Sequence, residues 1–349
     1  MSSSDRPPAA HASLAAWLER LEPLLTRELS ARVLGVEEMA PGLGRRHFLR
    51  VSLDVPPHRV IARLDDPVAA DAPGAEPALE PLRTVLERAG LPVPRRYGGD
   101  AQLGIDLLED VGDQTLEGWA ATATPGALEA LLTRIMADLP KLQALSQPRE
   151  LPAFARKLDR DLLRAKGGLF ARHAMGGSAD ETVAAGFEAI AELLEGAPLR
   201  LAHRDFQSQN ILLESGVAGP VPRWIDLQGA FMAPPEYDAV CLLRDSYLSI
   251  PQAAVARLCE KLRPALPDHP SACEFTRRFS LLSLARKGKD VARFLEAARE
   301  RGDRRYLRYA PRTWETVRAA ARECASLDRR LSRLCEAIEA MDPEAVCKA

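Results

Sequence analysis

The chain has little net charge of either sign. Its 349 residues sum to −2, with 28% charged side chains spread along the sequence. A general nucleic-acid binder needs a basic excess, and none is present. Arginine pairs such as Arg45-Arg46 and Arg304-Arg305 read as solvated faces. No apolar run approaches the ~18 residues of a membrane span. The opening Met1-Ser-Ser-Ser-Asp-Arg-Pro-Pro lacks the charged-then-apolar order of a secretory signal. The expectation is a cytoplasmic protein with neither nucleic-acid nor membrane partners. The six cysteines, Cys241, Cys259, Cys273, Cys324, Cys335 and Cys347, contain no C-x-x-C pair. Most fall in helix-like text, where a free thiol behaves as a small hydrophobe. They are expected to be reduced, forming neither a disulfide frame nor a metal site. No internal repeat is visible. The 46% hydrophobic content suffices for one large domain or two lobes.

What is there centres on residues 199–245. Leu199 and Leu201 lead into His203-Arg204-Asp205, and Asn210 follows five residues after Asp205. Ile211-Leu212-Leu213 reads as a short apolar strand, broken by Gly216, Gly219, Pro220 and Pro222. A second apolar strand begins at Trp224-Ile225 and is expected to carry Asp226. The pattern is H-R-D-x-x-x-x-N, a hairpin, then a strand bearing Asp.

Phosphoryl transfer needs these residue types together. The transferred group and its leaving group build up charge that Mg²⁺ neutralises, and Mg²⁺ takes oxygen ligands. An Asn amide oxygen and an Asp carboxylate on adjacent strands can supply two. A second Asp can accept from the attacking hydroxyl. Asp205 is therefore the candidate base, and Asn210 and Asp226 the candidate metal ligands. His203 belongs to the catalytic loop and is expected to brace its backbone. An isolated H-R-D triplet occurs by chance. The offset of Asn210, the two apolar strands and Asp226 at hairpin distance make the combination specific.

The stretches His203-Arg204-Asp205-Phe206-Gln207-Ser208-Gln209-Asn210 and Trp224-Ile225-Asp226-Leu227-Gln228-Gly229 resemble the aminoglycoside phosphotransferase family. Pro234-Pro235-Glu236-Tyr237-Asp238 and Leu242-Leu243-Arg244-Asp245-Ser246-Tyr247 resemble its branch of anomeric kinases for N-acetylmuramate and N-acetylglucosamine. A weaker likeness reaches Arg286, Lys289, Arg305-Tyr306-Leu307 and Pro311. The resemblance implies an α+β, bilobal protein-kinase-like fold. A small N-terminal antiparallel-sheet lobe would precede a large, mainly helical C-terminal lobe. It also implies ATP and Mg²⁺ as cofactors and a small-molecule acceptor, an amino sugar phosphorylated at its anomeric hydroxyl in peptidoglycan recycling.

The rest of the chain fits that order. Residues 1–10 read as a disordered tail, and helical spacing from Ser13 to about Ser30 marks a packing helix. Three strands follow between Val33 and Asp66. Gly42 and Gly44, ahead of a strand pair, can let backbone N–H groups approach phosphate. The kinase pattern wants a Lys on the third strand. None is there, and Arg63 is the candidate phosphate anchor. A helix from about Ala78 to Ala89, ending at Gly90, carries Glu80, which can pair with Arg63, as Glu76 can. Tyr97-Gly98-Gly99-Asp100 is expected to turn the chain into the strand Gly104–Asp110. That strand would end at the hinge, where adenine meets backbone near Glu109 and Asp110. Residues 1–110 form the expected nucleotide-binding lobe, and 111–349 the catalytic and acceptor-binding lobe. Helices are expected at 128–145, 154–165 and 179–194, interrupted at Gly167-Gly168 and Gly176-Gly177. From Tyr237 the text is nearly all helix, with breaks near Pro251, Pro264–Pro270, Gly302 and Pro311.

No A-P-E element is present, and Leu227-Gln228-Gly229 follows Asp226 in place of Phe-Gly. Both absences argue against a protein kinase and suit a small acceptor. Asp238, Arg244, Asp245 and Tyr247 are the candidate acceptor-wall residues. Asp238 and Arg244 lie about one and a half turns apart, off a common helix face. Two alternatives stand beside the sugar kinase. One is an aminoglycoside or other small-alcohol phosphotransferase, which for a polycation needs a strongly acidic pocket. The other is a non-catalytic pseudokinase, supported by the missing Lys alone. A monomer or weak dimer is expected.

Overall fold

The computed structural model describes residues 14–39, 47–65, 77–146, 150–177, 179–217 and 219–347. The expected tail, Gly42, Gly44 and Glu76 lie outside these residues. Two compact units emerge, residues 1–77 with 94–112, and residues 78–93 with 113–349.

The first unit is a five-stranded antiparallel sheet in the order β1-β2-β3-β5-β4. Its strands are β1 (Val33–Glu38), β2 (His47–Leu53), β3 (Arg59–Leu64), β4 (Arg96–Asp100) and β5 (Ile105–Glu109). Alternation decides its faces. Leu49, Val51 and Leu53 of β2, Val60, Ala62 and Leu64 of β3, and Ile105 and Leu107 of β5 are all buried. They pack with Trp17, Leu21, Leu24 and Leu25 of the helix Leu14–Leu29.

One expectation is corrected here. Tyr97-Gly98-Gly99-Asp100 belongs to β4, and the turn comes afterwards, at 101–104. The glycines make room within the strand. A Cβ at Gly98 would lie 2.5 Å from Glu28 Cγ, and one at Gly99 2.6 Å from the Ile105 carbonyl oxygen. Gly104, at φ +65°, is the turn residue that needs glycine: a Cβ there would strike the Asp65 carbonyl.

The second unit is mainly helical. The expected helix at 78–89 is shorter, Leu82–Arg88, and follows Pro81. It stops at Gly90 as its sequence predicts, with φ +72° and Leu91 N–H donating to the Leu86 carbonyl at 3.1 Å. It sorts with the helical unit, not the sheet. The Trp224 N–H donates to the Pro92 carbonyl at 2.7 Å, which ties the segment to the hairpin below. The text at 128–145 gives two helices, Pro125–Met136 and Leu139–Gln143, because Pro140 has no N–H to continue the first.

Gly167-Gly168 does not interrupt a helix. Arg160–His173 runs through both glycines. A Cβ at Gly167 would lie 2.8 Å from Phe187 Cγ, so this glycine allows close packing against the helix Asp180–Leu194. Pro311 likewise sits in the first turn of Ala310–Cys324, where a missing N–H costs nothing.

The long helix Ala272–Arg301 organises this unit. Ser271 and Glu274 form a capping box at its start, and Gly302, at φ +67°, ends it. Phe170 and Trp314, with ring centroids 6.1 Å apart, pack beside it. Two further short strand pairs complete the core around the candidate site: β6 (Arg200–Ala202) with β9 (Phe231–Ala233), and β7 (Ile211–Glu214) with β8 (Val221–Trp224). Among the described residues no helix is long and apolar enough to cross a membrane. Cys241, Cys259, Cys273, Cys324 and Cys335 are free thiols.

Candidate active site

The site forms where β6 leaves the core and the chain turns into β7. Arg204 takes φ +79°, a cost tolerated only because its surroundings over-determine it. Four hydrogen bonds do so. The His203 and Arg204 N–H groups donate to Asp238 Oδ2 and Oδ1, at 2.7 and 3.1 Å. The Arg204 carbonyl accepts from Arg286 Nη1 at 3.2 Å and from the Cys241 thiol at 3.3 Å. His203 is buried, with Nε2 3.0 Å from the Ile225 carbonyl oxygen. Burial lowers its pKa, which favours the neutral ring.

Asp205 then projects with its two oxygens in different settings. Oδ1 accepts from Arg286 Nη1 at 3.0 Å. Oδ2 has Arg204 Nε at 4.0 Å, and a Cβ on Gly229 would stand 3.5 Å away. The side chain keeps 28% of its surface. Burial pushes its pKa up, but the charges of Arg286, Lys289 and Arg204 outweigh burial and hold the carboxyl well below the usual range. Asp205 is thus ionised at any working pH.

Asn210 and Asp226 are brought together by the hairpin. Ile211 pairs with Trp224, and the Ile225 N–H donates to the Asn210 carbonyl at 3.0 Å. Asn210 Nδ2 donates to the Asp205 carbonyl at 2.8 Å, which fixes the amide plane. Asp226 is not on the strand, as the sequence led us to expect. β8 ends at Trp224, and Asp226 takes φ +65° ahead of the 3₁₀ turn Leu227–Gly229. It is exposed, and Gln228 Nε2 donates to its Oδ1. One amide oxygen and one carboxylate, both hard donors and few in number, fit Mg²⁺, which keeps most of its shell for water and phosphate. Among the described residues no group of three His, Cys, Asp or Glu could hold a metal ion.

The acceptor-wall expectation is corrected at three positions. Asp238 is buried, and its carboxylate holds the loop backbone. Asp245 is buried and accepts from the Ser208 N–H at 2.6 Å and the Tyr247 N–H at 2.9 Å. Arg244 pairs with Glu323 at 2.7 Å and Gln252 at 3.0 Å. Burial raises the pKa of Asp238 to about 6, and burial also shifts that of Asp245 upward. Tyr247 sits in an aromatic cluster with Tyr309 and Phe294, at 4.7 and 6.0 Å. Replacing Asp238 with Asn keeps the volume but trades one acceptor for a donor facing an N–H. Asp238→Asn is expected to lower kcat about 10-fold or more with little change in fold content, because a misplaced loop misorients Asp205. Circular dichroism and steady-state kinetics check this, and wild-type kcat would refute it.

The first unit corrects another expectation. Arg63 is buried in the sheet, its Nη1 3.0 Å from Asp106 and its Nη2 2.7 Å from Asp65. Asp106 lies directly across from it on β5 and also takes Arg96 Nε at 2.8 Å. A guanidinium so placed ties strands together. Glu80, the expected partner of Arg63, is instead held by Arg83. Arg63→Met is expected to cost about 1–3 kcal/mol of stability by removing the buried guanidinium's contacts to Asp106 and Asp65. A fall in Tm with the KM for nucleotide within threefold of wild type is the expected pair of results. Glu109 accepts from the Arg95 N–H at 3.0 Å, and Asp110 binds Arg50 at 2.8 and 3.1 Å. Both side chains line a cavity of about 430 Å³ with Tyr97 and His58.

Sequence reasoning gave no role to the charged run Arg286-Lys287-Gly288-Lys289-Asp290. Asp290 binds Arg286, Lys287 and Lys289 at 3.2, 2.9 and 2.8 Å. The signal was available. Four charges sit in a helix stretch whose other residues are mostly apolar and buried, and buried charge is retained only where it is paired.

An antiparallel sheet unit, a mainly helical unit and an H-R-D-x-x-x-x-N loop with an Asp beyond a hairpin define a protein-kinase-like phosphotransferase. The model of the phosphotransferase enzyme family (APH) matches residues 36–275, and the chain belongs to that family. It is a kinase with an alcohol group as acceptor. It is 31% identical over 293 residues to an N-acetylmuramate/N-acetylglucosamine kinase of Pseudomonas aeruginosa, covering 78% of this chain and 83% of the relative. Among solved structures, choline kinase LicA from Streptococcus pneumoniae superimposes with a TM-score of 0.61 at 13% identity, over 89% of this chain and 99% of that one. An aminoglycoside 2′-phosphotransferase-IIIa in its GDP complex does so at 0.59 and 13%, over 88% and 98%. These two likenesses concern the fold alone.

Proposed function

We propose that this kinase uses ATP and Mg²⁺ to phosphorylate the anomeric hydroxyl of N-acetylmuramate or N-acetylglucosamine, giving the 1-phosphate. The observation that carries the reading is the 31% identity over most of both chains to a kinase of that name. The charge around Asp205 supports it. Arg204, Arg286 and Lys289 all act on this carboxylate. A polycationic aminoglycoside would meet cations where it needs an acidic well. A neutral or anionic sugar meets hydrogen-bond donors.

The proposed roles follow from the geometry. Arg286 holds Asp205 Oδ1, leaving Oδ2 as the acceptor for the reacting hydroxyl. An anomeric hydroxyl is more acidic than an ordinary alcohol, so a weakly basic carboxylate suits it. The proton is taken late, because a loose transition state asks little of the base before bond formation. Asp226 and Asn210 would hold Mg²⁺, which when bound neutralises charge on the transferred phosphoryl group. Asp238 and Asp245 fix the loop so that these three side chains keep their relative positions. The reading places the chain in peptidoglycan recycling.

The test is ³¹P NMR of reactions with ATP, Mg²⁺ and each amino sugar, with kanamycin as a competing acceptor. A sugar 1-phosphate resonance is expected. Transfer to kanamycin alone, or to no acceptor, would refute the reading.

A further inference from the structure

Two cations in the second unit keep exposed surface near the Asp205 loop: Arg204, next to Asp205 itself, and Lys289, whose counter-ion Asp290 stays inside. Arg204 keeps 38% of its side-chain surface and lies 4.0 Å from Asp205 Oδ2. Lys289 keeps 23%, and its partner Asp290 only 8%. Arg286 and Lys287, the other two cations of the cluster, are each 2% exposed. Asp238 and Asp245, two further carboxylates of this region, are buried and face backbone N–H groups, and the exposed Asp226 belongs to the proposed metal site. A ligand approaching Asp205 Oδ2 meets that oxygen and the Arg204 guanidinium, with Lys289 partly exposed one helical turn beyond Arg286, which holds Asp205 Oδ1.

Lys289 is more than a counter-ion. Asp290 already has Arg286 at 3.2 Å and Lys287 at 2.9 Å, both buried. A third cation exceeds what one carboxylate needs. Lys289 is instead partly exposed, three residues along the helix from the Arg286 that binds both Asp205 and Asp290, and its charge acts on both carboxylates. Burial is the main influence lowering its own pKa, and Arg286 adds to it, while Asp290 and Asp205 pull it back up. Such a group gains from an added anion. Five residues further along the same helix, Phe294 stacks on Tyr306 with centroids 5.8 Å apart and planes 8° from parallel. Tyr247 and Tyr309 close the cluster, and Tyr309 OH donates to Glu117 at 2.6 Å.

We propose that Lys289, assisted by Arg204, is the specificity-determining residue for the acceptor and binds a carboxylate carried on the sugar away from the reacting hydroxyl. This rests on the amino-sugar reading and deepens it: the acid sugar N-acetylmuramate is preferred over neutral N-acetylglucosamine. The physical reason is a charge-assisted hydrogen bond available to one substrate and not the other.

The experiment compares kcat/KM for the two sugars in wild type, Lys289→Met and Lys289→Arg. Losing a hydrogen bond to a charged group costs roughly 10–100-fold in affinity. The ratio of N-acetylmuramate to N-acetylglucosamine kcat/KM should fall by that factor in Lys289→Met, through KM for the acid sugar. Lys289→Arg should restore most of it. Raising salt from 50 to 500 mM should lower the wild-type ratio, since partly exposed charges are screened. An equal fall for both sugars in Lys289→Met would reduce Lys289 to a counter-ion of Asp290 and overturn the inference. A wild-type ratio near one would overturn it too, while leaving the amino-sugar reading standing. Transfer to neither sugar defeats that reading itself, a result the ³¹P experiment registers separately.

Discussion

Asp205→Asn lowers kcat by about 10²–10⁴-fold, the range typical of removing a positioned proton acceptor. The substitution is chosen for what it preserves. Asn keeps an oxygen that can accept from Arg286 Nη1, the 3.0 Å contact on Oδ1. It also keeps the main-chain carbonyl that receives Asn210 Nδ2. What it loses is the second oxygen, replaced by an amide that cannot take a proton. Nucleotide affinity should stay within about threefold, because Asp205 is not a proposed ligand of metal or phosphate. Single-turnover kinetics with a nucleotide titration separates the two quantities. Turnover within threefold of wild type would remove Asp205 from the chemistry. The low pKa of Asp205 adds a second expectation: no ionisation of this group should limit the rate on the acid side near neutrality.

Asp226→Ala abolishes the Mg²⁺-dependent part of ATP binding. Asp226 carries the one full negative charge in the proposed ion site, and Mg²⁺ gives up its water reluctantly without one. Asn210→Ala should do less to metal affinity, since a neutral amide contributes a weaker field. It should also lower kcat, because Asn210 Nδ2 steadies the Asp205 carbonyl. Thermal shift measures both. A ligand at about 100 times its Kd stabilises by ~2.7 kcal/mol, enough to move Tm by several degrees. Wild type should show that shift with Mg²⁺ and ATP together, and Asp226→Ala should lose it. An equal shift in both proteins would reject Asp226 as a ligand. The exposed position of Asp226 makes its removal a mild structural change, so loss of fold should not obscure the result.

These two predictions use residues that were legible in the sequence, and the reason is their spacing. Asp205 and Asn210 are five residues apart, and Asp226 is one hairpin further. Backbone pairing between β7 and β8 is set by local alternation and turn residues, so adjacency along the chain became adjacency in space. The sheet strands β2, β3 and β5 were legible for the same reason, as apolar residues alternate in each. Glycine misled where its role is steric. Gly98, Gly99 and Gly167 read as turn or break signals, yet each stands where a neighbouring element leaves no room for a Cβ.

The amino-acid order by itself determined the catalytic loop, the hairpin, the strand faces, the family and the expectation of a phosphotransferase. The loop, the hairpin and the strand faces rest on short-range periodicity and spacing, and the family on the resemblance of the motifs they carry. Tertiary structure alone decided which charges serve the site. Arg286 meets Asp205 across 81 positions, Asp245 meets Ser208 across 37, and Asp238 meets His203 across 35. Arg63 was withdrawn into the sheet by Asp106, 43 residues away. A charged side chain looks alike in sequence whether it faces water, a backbone N–H or a buried counter-ion. Desolvation separates these fates by several kcal/mol, and only the packed fold sets it.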